Sequence, residues 1–360
     1  MSTRAPETDL ADKAPSLRRN VAFGSIGAVV ASASSAFMHW LVVRAFGIEV
    51  HGNVVWLLSV YWAIVTASDL GLTSTVGLRE VAANAARSPA RIGEAVVGPT
   101  LVTVAVSTLL AALLVLFPEP FIEDRALLTA ASTRWAALWI VGHAIVRACW
   151  MAATALERMG TDLLMRSPLE LGRPLVAVLV VLAGLEAQWL FVGWAVTTWL
   201  SAAIAMASTW LIVREAGSRL ALPRPLVPAV SRLLRRGLPY FPQFLGVTGL
   251  PVWIPLLGGA FGEGSAAEVT RQVSVLQICS SLALVPRLLG LPLSTAILVR
   301  LVRLEGRPQT GGDPQREVLD RATRWAGALG AASVVGSAAL GSIVLGVVYG
   351  AEYAAHASTL

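Results

Sequence analysis

The sequence predicts an all-α, polytopic membrane protein. Of its 360 residues 56% are hydrophobic and only 14% are charged, and the mean hydropathy is +0.69. Apolar runs of roughly 20 residues, long enough to cross a hydrocarbon core of about 30 Å, can be laid end to end about nine times without overlap. Ordinary soluble domains lie far from this composition, and no room remains for a large one.

Residues 1–20, with Glu7, Asp9, Asp12 and Lys13, are polar and predict a disordered cytoplasmic tail. Arg18 and Arg19 then precede an apolar run containing Ala31-Ser32-Ala33, the outline of a secretory signal, even of the twin-arginine kind. The run continues past the small residues to Val43, so it is read as an uncleaved first span. Predicted spans cover residues 21–43, 53–76, 94–117, 135–156, 168–185, 189–213, 238–260, 272–299 and 325–349. Cys149 and Cys279 fall inside apolar runs, where they act as small hydrophobes rather than disulfide partners or metal ligands.

The net charge of +6 and the pI near 10.1 are explained by topology before any polyanion is invoked. Alternate connections are rich in arginine: Arg79, Arg87 and Arg91; Arg158, Arg166 and Arg173; Arg214 to Arg236; Arg300 to Arg324. The intervening ones hold only Arg44, Arg125, Arg134 and Arg271. This asymmetry predicts a cytoplasmic N-terminus in a cell inner membrane. Residues 214–236, rich in Arg and Pro, predict a basic linker able to lie on anionic lipid. It divides a first bundle of six spans, 21–213, from a partial second bundle of three, 237–360.

An internal echo supports that division. Ala45-Phe46-Gly47, Val54 and Ser59-Val60 recur in order as Ala260-Phe261-Gly262, Val269 and Ser274-Val275, and the paired arginines 18–19 and 235–236 precede the two copies. On this reading the second copy breaks off halfway.

The residues Arg44-Ala-Phe-Gly47, Gly52, Asp69-Leu-Gly71 and Arg79, the stretch Arg235 to Pro242 and the segment Tyr349-Gly-Ala-Glu-Tyr353 together resemble the polysaccharide-export, Wzx-type branch of the MOP flippase superfamily. The resemblance runs from about residue 17 to the end of the sequence. It implies two pseudosymmetric helix bundles around a central cavity, the second incomplete here. It also implies export of an undecaprenyl pyrophosphate-linked oligosaccharide repeat unit in surface polysaccharide biosynthesis, of the lipopolysaccharide O-antigen or exopolysaccharide kind. The implied partners are that lipid-linked oligosaccharide, the lipid bilayer, a polysaccharide polymerase and other assembly proteins, with no nucleic acid.

A transport cavity shows as polar faces on apolar helices, because a polar group facing lipid is costly. Ser25, Ala28, Ser32, Ser35 and His39 share one face of the first span, and Ser59, Trp62, Thr66, Asp69 and Thr73 share one of the second. Small and hydroxyl residues on such faces also mediate helix packing. The fourth span puts Trp139, His143, Arg147, Trp150 and Thr154 together, with Arg147 near mid-span; the reading is either a substrate-facing cation or an ion pair with Asp69. The eighth span carries Thr270, Ser274, Gln277 and Ser281 on one face, with Arg271 near its outer end and Arg287 after Pro286. Glu170 and Arg173 open the fifth span and read as an intrahelical pair or as snorkelling side chains.

Guanidinium forks match phosphate oxygens, and indole rings stack on the apolar faces of sugars. The candidate cavity set is therefore Arg147, Arg287, Arg44, Arg271, His143, Trp139, Trp150 and Gln277, with Asp69 and His39 as candidate coupling groups. A multidrug or cation antiporter of the same superfamily would call for an acidic cavity instead. A membrane-embedded polymerase or glycosyltransferase would call for a large outer loop or an acidic motif, and Glu119, Glu123 and Asp124 form only a small cluster in a short loop. No phosphate-cradling glycine motif, metal-ligand spacing or nucleophile triad is present in the sequence, which predicts a transporter without a cofactor or a resident metal.

Overall fold

The computed structural model describes residues 17–123, 125, 127–283 and isolated positions between 297 and 347. The predicted ninth span, the segment Tyr349 to Tyr353, Arg287 and the tail before Leu17 lie largely or wholly outside these residues. Within them the polypeptide is helical. α1 covers Leu17–Phe46 and so includes the end of the expected tail. α2 covers Ile48–Asp69. The two meet at Gly47, whose φ of 87° suits glycine and breaks the helix in one residue.

The predicted second span, 53–76, is divided in the structure. α2 stops at Asp69, Leu70 and Gly71 turn the chain left-handed (φ 49° and 70°), and a π-helical stretch, Leu72–Gly77, leads into α3, Leu78–Arg87. A second glycine, Gly237, explains why the break lies here. A Cβ on Gly71 would stand 2.8 Å from the Gly237 carbonyl oxygen, and one on Gly237 2.6 Å from that of Leu70, so the two backbones touch only because both side chains are absent.

α4 (Ile92–Leu116), the short α5 (Glu119–Ile122), α6 (Ala130–Ala155), α7 (Met159–Leu182) and α8 (Trp189–Glu215) follow. Thr129 and Ser132 cap α6 reciprocally, side chain to backbone, at its first turn. The basic segment contains α9, Leu226–Gly237. Beyond it lie α10 (Phe241–Phe261) and α11 (Ala266–Ala283). Among the described residues α1, α2, α4, α6 and α8 each hold a stretch long and apolar enough to cross a membrane.

α7 does not meet that test, and the reason is informative. Asp162, Arg166, Glu170 and Arg173 interrupt its apolar run. Leu164, Leu171, Leu175, Leu179 and Leu182 are exposed at helical spacing, which gives α7 an apolar face for lipid and a charged face for the protein.

α1 packs on α7, α7 on α8, α8 on α6 and α6 on α4, while α2 touches α1, α4 and α6 on one side and α10 and α11 on the other. α2 and α6 are the inner helices: 78% and 72% of their most apolar windows are buried, against 22% for α1. Gly52 sets the closest approach of α2 to α11, because a Cβ there would collide with the carbonyl oxygen and methyl group of Thr270.

Two ends of the assembly are tied differently. At one, the Arg125 guanidinium lies 4.6 Å over the Trp56 ring and donates to Thr270 Oγ1 (2.9 Å) and the Gly259 carbonyl (3.0 Å). At the arginine-rich end, Arg236 pairs with Glu80 at 2.9 Å.

A candidate functional site on α2, α6 and α7

α6 projects Trp139, His143, Arg147 and Trp150 at successive turns, and α2 offers Tyr61 and Trp62 to the same interior. Tyr61 stacks on Trp139 with centroids 3.7 Å apart and planes at 16°. Trp194 of α8 abuts Trp139 at 5.5 Å. The His143 ring stands edge-on to Trp62 (5.0 Å), Trp150 (5.5 Å) and Tyr61 (5.7 Å). Aromatic contacts of this geometry add about 0.5–1.5 kcal/mol each beyond the area they bury, so the wall is rigid.

Arg173 enters this wall from α7. It is 8% exposed, its guanidinium carbon lies 5.1 Å over Trp139 and 5.6 Å over Trp62, and it makes no ion pair among the described residues. Its Nε and Nη2, both ring nitrogens of His143, and the indole nitrogens of Trp139 and Trp150 have no hydrogen-bond partner there. The expectation that Arg173 pairs with Glu170 or snorkels is therefore corrected. α7 is amphipathic, and packing against α1 and α8 turns the Arg173 face inward. Desolvating a guanidinium costs several kcal/mol, which two aromatic faces offset only in part.

Arg147 is held differently. Its Nη1 donates to the Val65 carbonyl at 3.3 Å, and its Nη2 stands 3.9 Å from Asp69 Oδ2, a loose contact. Asp69 is fully buried at the end of α2. Its Oδ1 accepts the Thr73 amide (3.1 Å) and the Thr73 hydroxyl, and its Oδ2 accepts the Ser74 hydroxyl (2.7 Å). The carboxylate thus restarts the helix after the Leu70–Gly71 break, much as an N-cap does.

His39 sits apart from the aromatic wall. Its Nδ1 is 2.8 Å from His51 Nε2, and His51 Nδ1 is 2.6 Å from Ser274 Oγ on α11. Arg44 and Arg271 are exposed and Gln277 is half-buried; Arg287 lies outside the described residues. The structure therefore unites Trp139, His143, Arg147 and Trp150, brings to them Trp62 from the polar face expected on the second span, and adds Tyr61 and Arg173, which sequence spacing within one helix does not single out. Among the described residues no three His, Cys, Asp or Glu side chains are grouped to hold a metal ion.

The helix arrangement has a counterpart among solved structures. The MATE multidrug transporter DinF-BH superposes with a TM-score of 0.63 over 94% of this chain and 74% of that one, at 14% sequence identity. The chain shares that transporter's fold. No protein-family model matches the chain, and no curated protein does. At that identity the likeness speaks for the polytopic all-α fold alone.

Proposed function

We propose that this chain is a membrane exporter of the MOP superfamily whose substrate is anionic: a lipid-linked oligosaccharide carried on a pyrophosphate, moved from the inner to the outer leaflet for surface polysaccharide assembly. The observation that supports this is Arg173, a buried guanidinium with unpaired donors set on Trp62 and Trp139, with Arg147 two turns along α6 from Trp139. Pyrophosphate oxygens would satisfy such donors, and indole and phenol rings suit the apolar faces of sugars. Binding would replace the lost hydration of Arg173, so substrate entry offsets a cost already present in the empty protein.

The direction is consistent with the charge. With an inside-negative potential, outward movement of an anion gains about 2.3 kcal/mol per charge per 100 mV. The distribution of arginines supports a cytoplasmic N-terminus and a place in the inner membrane. Alternating access would run between the helices on the two sides of α2, with the ties at Arg125 and at Arg236 opening in turn. Polymerase and other assembly proteins would receive the product.

A second reading, a multidrug exporter, is favoured by the fold shared with DinF-BH. The two differ in the sign of the substrate. Full-length protein reconstituted in liposomes is tested for transfer of a fluorescent undecaprenyl pyrophosphate-linked sugar and, separately, of a cationic dye. Transfer of the sugar lipid, lost in R173Q and R147Q with insertion intact, is expected. Dye transfer that survives both substitutions, without sugar-lipid transfer, overturns the anionic reading.

A further inference from the structure

A groove of about 610 Å³ lies at the arginine-rich end, between α3, the start of α4 and α9. Its charged lining is Arg91, Arg224, Arg232 and Arg236 against Glu80 and Glu94, and it shares no residue with the aromatic interior. Arg236 is engaged by Glu80. Arg91, Arg224 and Arg232 are exposed and form no ion pair among the described residues. The groove thus holds surplus, unpaired positive charge within one concavity.

The helix that forms one wall is placed at an interface by its own composition. α9 buries Leu233 against Leu72, Val76 and Val102, with Val230 and Leu234 beside it. Arg232 and Arg236, one turn apart, line the groove. On another face Val227 (78% exposed) projects without protein cover, and Leu238 (51%), one residue past α9, and Leu222 (54%), in the preceding segment, are exposed as well. A helix with one face docked, one basic and one apolar but uncovered has the pattern of an element lying in a membrane surface.

We propose that this groove binds the phosphate headgroup of an anionic membrane lipid, with α9 in the bilayer interface and Val227 and Leu238 against the acyl chains. Arg224 and Arg232 hold the phosphate oxygens, and Arg91 closes the opposite wall. A free phosphate would use the same arginines but would leave the apolar side chains in water, which favours the lipid. The site is independent of the nature of the transported substrate.

Purified full-length protein in neutral detergent is titrated with phosphatidylglycerol, with phosphatidylcholine and with inorganic phosphate. Saturable binding of phosphatidylglycerol and none of phosphatidylcholine is expected. At about fivefold per arginine near a membrane surface, the R224Q/R232Q double variant should weaken phosphatidylglycerol binding about 30-fold. R235Q, on the same helix but outside the groove, should change it less than about threefold. E94Q removes an opposing carboxylate and should tighten binding severalfold, a gain that misfolding cannot produce. Wild-type affinity in R224Q/R232Q, or a loss in R235Q equal per charge to that of the double variant, overturns the site. Inorganic phosphate binding as tightly as the lipid, with the same losses, overturns the lipid as its occupant.

Discussion

His51 Nδ1 lies 2.6 Å from Ser274 Oγ, while its Nε2 lies 2.8 Å from His39 Nδ1, so one imidazole joins α1 to α11 across the face of α2. All three side chains are buried, with exposures of 0–3%. Two ring nitrogens in contact share a single proton, which makes the chain directional: when His51 Nε2 donates to His39, its Nδ1 accepts the serine hydroxyl.

Replacing His51 by alanine removes both bonds and leaves His39 and Ser274 buried without them. Each buried hydrogen bond lost costs about 0.5–1.5 kcal/mol. S274A, which strips one partner, should destabilise by about half as much, and the H51A/S274A double variant should fall clearly short of the sum of the two single losses. Thermal unfolding of the purified protein measures this cycle; strictly additive losses would show that the contact carries no energy.

Gly52 should tolerate no side chain. Alanine at this position meets the Thr270 carbonyl, a backbone atom that cannot swing aside, so α2 and α11 must separate. An overpacking cost of about 1–3 kcal/mol is expected. G52A should lower the melting temperature more than an alanine at Gly160, where a Cβ meets nothing within 4 Å.

Arg173 should show opposite signs in two assays. R173L relieves an unpaired buried charge while keeping much of its packing, and the substrate-free protein should be at least as stable as wild type, by about 1 kcal/mol or more. Transport of the anionic lipid should be lost. A fall in stability together with retained transport would mark Arg173 as structural.

Asp69 should act mainly on the fold. D69A removes the acceptors of Thr73 and Ser74 at the helix restart and should cost about 2 kcal/mol or more, from the cap and the charge-assisted hydrogen bonds together. D69N keeps one oxygen and should cost roughly half as much. If Asp69 carries a coupled ion, D69N should also abolish the dependence of transport on that ion, read in the same liposomes at fixed membrane potential.

Sequence alone determined the class of the protein and the positions of most helices, because roughly 20 apolar residues in a row have few other fates. It also grouped Trp139, His143, Arg147 and Trp150, since that face is defined by spacing within one helix. What tertiary structure decided is what depends on a second helix. Arg173 reads as an interfacial charge until α7 is packed with its leucines outward. His51 reads as a loop residue until its partners appear, one of them 223 positions away. Asp69 reads as a mid-span carboxylate until Leu70 and Gly71 turn the chain and give it a helix to restart. Periodicity reports which residues share a face, and only packing against other helices decides what that face meets.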